Sequence, residues 1–165
     1  MKIQFTEKQK FTQWWFWTVF ILPAAIAIYA CITQLFFDIP FGNNPMSNIG
    51  VLLFAICSFG VLYFNRYMAL LTEINDFGIQ MRFVPFVKKD IAWHQLASLK
   101  IVNYGFVGYG IRLGSPHGTV YNMKGNIGLA LTLKDGTKFV IGTQQPEVLK
   151  GVLEKIKSTH NNSLQ

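Results

Sequence analysis

The stretch YGFVGYGIRLG, residues 104–114, sets Gly105, Gly108, Gly110 and Gly114 around one cation, Arg112. Glycines beside a basic residue are what a phosphate cradle uses, because bare backbone N–H groups can approach an anion closely. The spacing is wrong for a nucleotide loop. A dinucleotide turn runs strand, G-x-G-x-x-G, helix, and a Walker loop ends in Gly-Lys-Ser/Thr. Here the order from Gly105 is G-x-x-G-x-G, strand-like sequence follows, and no helical pattern begins before about Pro146. The sequence therefore predicts no nucleotide. Half of the chain's 14 glycines lie between Gly105 and Gly128, and their first reading is mechanical: bulges, tight bends and close backbone approach in curved strands. The chemistry left to this region is recognition. Arg112, Tyr121, Lys124 and Asn126 are the candidate ligand- or partner-binding residues, with Arg112, Lys124 and backbone N–H groups suited to an acidic headgroup or phosphate.

The other reactive residue types are scattered. His94, His117 and His160 lie far apart, without metal-ligand spacing. Asp76, Asp90 and Asp135 read as turn or cap residues rather than paired carboxylates. No Ser/His/Asp arrangement stands out. Cys31 and Cys57 both fall in apolar runs, where a cysteine is a small apolar side chain. The expectation is a non-enzymatic protein without metal or cofactor.

The elements that must carry these residues follow from composition. Charged residues make up 14% of the chain, against about 25% in a soluble domain. The deficit is local: residues 11–37 and 39–65 carry no charged side chain, and Asp38 alone separates them. The first run contains WWFWTVFILPAAIAIYACITQLFF, residues 14–37. As a helix it covers roughly 36 Å, more than the ~30 Å hydrocarbon core of a bilayer. Its tryptophans, Trp14, Trp15 and Trp17, cluster where an aromatic belt belongs. A second span is expected over about 49–71, with Arg66 snorkelling near its end. The link DIPFGNNPMSN is turn chemistry and forces an antiparallel hairpin. Lys2, Lys8 and Lys10 precede the first span, Arg66, Arg82, Lys88 and Lys89 follow the second, and the link has no Lys or Arg. The positive-inside bias then places both termini in the cytoplasm, in a multi-pass protein of the inner (cytoplasmic) cell membrane.

The composition shifts near Leu71–Glu73, so the expected domains are 1–72 (tail and hairpin), 73–158 (cytoplasmic domain) and 159–165 (frayed tail). INDFGIQMRFVPF, LKIVNYG, YGIRLG and TVYNM read as short strands. IGLALTLKDGTKFVIGT is the strongest signal, two alternating runs around a two-residue turn at Asp135–Gly136. QQPEVLKGVLEKIKS is an amphipathic helix from Pro146, with Val148, Leu149, Val152, Leu153 and Ile156 at helical spacing. The predicted fold is α+β: a transmembrane hairpin, then a small antiparallel bent sheet or barrel capped by a C-terminal helix.

Between Gly108 and Leu149 the pieces YGIR, YN followed by GN-G, the L-L-DG hairpin and IGTQ-PE before the helix stand in order. With the two-helix anchor they resemble the bacterial membrane-anchored PH-like proteins, small proteins with two transmembrane helices and a C-terminal PH-like domain. The resemblance implies a PH-like domain and no particular ligand.

The formal net charge is +7, of which residues 73–165 supply 11 − 6 = +5. A basic domain tethered at an anionic leaflet is drawn to it, and no nucleic-acid motif accompanies the charge. The leading expectation is a binding or scaffold module acting on a protein partner at the inner leaflet. The rivals are a sensor of anionic lipid headgroups, and a structural subunit whose hairpin packs into a larger complex or against a second copy. Gly50, Ala55, Ser58 and Gly60 offer small residues for such helix contacts.

Overall fold

The computed structural model describes residues 3–105 and 108–162, with side chains apart from those of 157 and 159–162. The chain divides into two compact units, Phe11–Tyr67 and the pair Met1–Lys10 with Met68–Gln165.

The first unit is helical. Helix α1 (Trp14–Cys31) continues through a π-helical turn, Ile32–Phe36, and α2 spans Asn48–Tyr67. Both are long and apolar enough to cross a membrane. The buried positions of α1 are Ala24, Ala27 and Ala30, one stripe at a spacing of three, and those of α2 are Val51 and Ser58. The two helices therefore meet through small side chains, which lets their backbones come close. Large apolar side chains point away from this seam: Leu22, Leu53, Ile56 and Tyr63 are all more than half exposed. Gly60 is exposed and takes no part in the seam. Gln34 organises the link, its amide donating to Met46 O (2.6 Å) and Asn48 Oδ1 (2.9 Å).

The second unit is built on two sheets. One has the order β1-β2-β3-β4, from β1 (Ile3–Gln9), β2 (Ala69–Asn75), β3 (Gly78–Val84) and β4 (Val87–Ala92). The other has the order β5-β8-β9-β7-β6, from β5 (Leu96–Asn103), β6 (Gly110–Ser115), β7 (Gly118–Asn122), β8 (Ile127–Leu133) and β9 (Lys138–Gly142). Period-two alternation gives the first sheet one buried face, whereas β7 and β9 at the centre of the second are buried on both. Leu70, Ile74, Ile79, Met81 and Phe83 fill the first, and Leu129, Leu131, Phe139 and Ile141 the second, all essentially fully buried. Tyr121 joins them, its ring 6.4 Å from Phe83 and 6.3 Å from Phe139. A smaller apolar cluster, Tyr104, Val120 and Val140, occupies the other face of the second sheet. Helix α3 (Pro146–Asn162) buries Leu149, Leu153 and Ile156.

Six expectations change. The second apolar helix ends at Tyr67, and residues 69–71 are strand, so the boundary falls before the expected 72/73. An apolar run feeding a buried strand has the same composition as the last turn of a lipid-facing helix. The N-terminal residues, expected as a tail of the hairpin, form β1 and pair antiparallel with β2. The second sheet is not purely antiparallel, because β7 and β9 run parallel. The expected frayed tail is helical through Asn162, and residues 163–165 lie outside the described ones. The β8–β9 hairpin is present, but its loop has three residues: Gly136 N donates to Leu133 O (3.0 Å) and Leu133 N to Thr137 O (2.9 Å). Gly136 takes the left-handed conformation (φ 86°) that such a loop needs at its third position. Val148, expected on the apolar stripe of α3, is 55% exposed.

Candidate functional site

The four residues singled out in the sequence do not converge. Arg112 is exposed on β6, opposite Val120. Tyr121 lies opposite Ile111, so it projects from the other face of the sheet, and it is 6% exposed. Burial pushes its phenol pKa up. It packs the core and cannot share a surface with Arg112. Lys124 and Asn126 are exposed in the turn after β7.

The segments that carry Arg112, Lys124 and Asn126 are tied together through Tyr104 and Asn122. Asn122 is buried and donates through Nδ2 to Tyr104 Oη (3.2 Å) and Gly108 O (3.0 Å). Tyr104 Oη donates to Gly125 O (3.2 Å), and Tyr104 N to Asn126 O (2.9 Å). The glycine-rich loop is thus stitched to the β7–β8 turn. Burial raises the Tyr104 pKa, an effect the Asn122 hydrogen bond opposes and nearby Tyr109 reinforces. A Cβ on Gly108 would stand 2.8 Å from Arg112 Nε, so the guanidinium occupies the space that a side chain at 108 would need. Six glycines from Gly105 to Gly125 have positive φ, and strands β6 and β7 rather than a helix follow the loop. The mechanical reading of the glycines fits this backbone. Phe106 and Val107 lie outside the described residues.

A second feature was not foreseen. A groove of about 560 Å³ runs between β5 and α3, lined by Leu99, Lys100, Ile101, Ile127, Lys150 and Leu153, with Glu147 and Glu154 along it. Strand β5 forms one edge of its sheet, bonded only to β8. One side of its backbone is therefore without a ladder partner in the sheet, next to an apolar floor with charges of both signs on its rim. The signal was present as a strand-like LKIVNYG and the spacing of Glu147, Lys150 and Glu154 on one helix face. Only the tertiary fold brings the two segments side by side.

A further hollow of about 570 Å³ lies between β4 and the β8–β9 hairpin, beside Lys89, His94, Lys134 and Asp135. Lys89 Nζ sits 4.8 Å above the Phe139 ring, and the hydrogen bond from Thr137 N holds the Asp135 carboxyl below its ordinary pKa. Lys89 has both an aromatic and an acidic neighbour within the hollow. The β5–α3 groove differs in offering open backbone.

The chain matches no family model, no curated protein and no solved structure.

Proposed function

We propose that the protein is a membrane-anchored, non-enzymatic binding module that takes an extended segment of a protein partner as an added strand along β5, in the groove beside α3. The observation that carries this reading is the β5 edge with a groove of mixed apolar and charged lining running along it. Strand addition draws its affinity from main-chain hydrogen bonds and its specificity from pockets for alternate side chains. Leu99, Ile101 and Leu153 supply the pocket floor, and Lys100, Lys150, Glu147 and Glu154 the rim.

On this reading α1 and α2 cross the inner membrane. Their outward-facing leucine, isoleucine and phenylalanine side chains suit lipid better than water. The β1–β2 pairing brings the chain before α1 and the chain after α2 into one sheet. That supports placing both flanks on one side of the membrane, and the lysine and arginine bias makes it the cytoplasmic side. Two small sheets with a C-terminal helix suit a PH-like domain. Anchoring confines the domain to the leaflet and raises its effective concentration for membrane-bound partners.

The test is co-purification from native membranes with the full-length chain and with Lys100→Glu/Lys150→Glu, which reverses both rim cations and leaves the core intact. Loss of a partner that the unsubstituted chain retains is the expected result. A partner retained by that variant but lost on Arg112→Ala/Lys124→Ala would move the function to the glycine-rich corner.

A further inference from the structure

The chain leaves the β domain twice, at the same end of one strand pair. Gln9, the last residue of β1, is paired with Leu70, and only Met68 stands between α2 and β2. Extended backbone spans at most about 3.6 Å per residue, so Ala69 is tethered within roughly 7 Å of the end of α2. Ala69 is also paired with Val84, the last residue of β3. The turn from β3 to β4 therefore lies at the sheet end from which the helices depart.

That turn is Pro85–Phe86, closed by a hydrogen bond from Phe86 N to Phe83 O (2.7 Å). Phe86 is 56% exposed despite its size. Behind it, the first complete row across the outer face of the sheet is Lys8, Leu71, Arg82 and Lys88, set by the pairings Lys8–Leu71, Leu71–Arg82 and Arg82–Lys88. All three cations are exposed. Arg82 directly opposite Lys88 is a like-charge pair, an unfavourable arrangement that a covering anion would relieve. Lys88 also reaches Asp90 (2.8 Å), an exposed ion pair of small effect. The next outer row is Thr6, Glu73, Gln80 and Asp90, so the sign of charge reverses one row further from the helices. An aromatic tip, then cations, then carboxylates is the order that a face meeting an anionic leaflet requires.

We infer that the β3–β4 turn is a third membrane contact: Phe86 seats in the interfacial layer, and Lys8, Arg82 and Lys88 meet anionic headgroups of the bilayer that the helices cross. The inference rests on the reading that α1 and α2 span a membrane. Its occupant is lipid rather than protein because the row repeats the polarity of the leaflet next to which the chain itself tethers it.

The same sheet supplies a control. Phe77, in the β2–β3 turn, is 70% exposed at the opposite end, seven-residue strands away, roughly 24 Å. The full-length chain is reconstituted in vesicles of phosphatidylcholine with phosphatidylglycerol and labelled with an environment-sensitive fluorophore at one cysteine at a time. The three sites are native Cys57 in Cys31→Ala, and Phe86→Cys or Phe77→Cys in Cys31→Ala/Cys57→Ala. Nitroxide lipids then report depth. Position 86 should show blue-shifted emission and lose fluorescence to a headgroup nitroxide, and both effects should weaken with Arg82→Gln/Lys88→Gln. Position 77 should show neither, and Cys57 should be quenched by a nitroxide deep in the acyl chains. Quenching at Cys57 with position 86 no more quenched than position 77 overturns the turn contact and leaves the spanning helices standing. No quenching at Cys57 overturns the spanning reading, and this inference with it.

Discussion

Glu7 and Thr143 are joined across 136 residues of sequence: Thr143 Oγ1 donates to Glu7 Oε2 at 2.7 Å, with both side chains buried. Gln144 N donates to the other carboxylate oxygen at 2.7 Å, and Gln9 Nε2 donates to Gly142 O at 2.7 Å. Strand β1 precedes the apolar hairpin, and residues 142–144 leave β9 for α3. The bonds therefore fasten the edge of one sheet to the exit of the other. The β domain is not an appendage strung after the apolar hairpin. Its first strand comes before the hairpin and completes the first sheet.

Glu7→Leu should accordingly destabilise the β domain by about 2 kcal/mol, since it leaves the buried Thr143 Oγ1 and the partly buried Gln144 N without their shared acceptor. Chemical denaturation of the full-length protein in detergent, followed through β-sheet circular dichroism, checks this. A midpoint unchanged from the unsubstituted protein would contradict the role given to β1.

Thr72 lies on β2 beside Glu7, paired with it in register, and its hydroxyl is buried without a hydrogen-bond partner among the described residues. Replacing such a hydroxyl with a methyl group removes a desolvation cost at little change of shape. Thr72→Val should raise stability by about 1 kcal/mol, read in the same denaturation experiment. A loss of stability would mean that the hydroxyl is satisfied by water.

Tyr121 supplies a pH dependence. Its pKa is raised by burial, so the folded state favours the neutral phenol. Stability from this group is complete below the ordinary tyrosine value, about 10, and is lost as pH rises through the higher folded value. Tyr121→Phe keeps the ring between Phe83 and Phe139 and removes the titration. The variant should lose less stability than the unsubstituted protein between pH 9 and 11, because Tyr104, also raised, contributes equally to both. Parallel alkaline denaturation curves for the two proteins would show that Tyr121 ionises without cost.

The apolar runs, the β8–β9 hairpin and α3 were legible because each is written in local periodicity. Strand β1 was not. Its inward positions are Phe5, Glu7 and Gln9, so the alternation that marks a half-buried strand is broken by two buried polar side chains. Their reason for being inside lies at residues 142–144. The end of α2 was misjudged because Met68, Leu70 and Leu71 suit a membrane helix and a sandwich core alike. Among the candidate site residues, Tyr121 went astray for a related reason. TVYNM reads as a short strand, but which of its side chains face inward is not written in it, and only the pairing with Ile111 shows which face Tyr121 takes. The β5–α3 groove joins segments about fifty residues apart, and no local pattern announces it.

The central claim, that a protein segment lies along β5, is tested most directly by photocrosslinking in living membranes. A photoreactive amino acid is placed at Lys100, Lys150 or, as a reference, Lys124 of the full-length chain. Protein adducts of one size from positions 100 and 150, and none from 124, are the predicted result. Adducts from 124 alone, or only lipid adducts from all three positions, would contradict it.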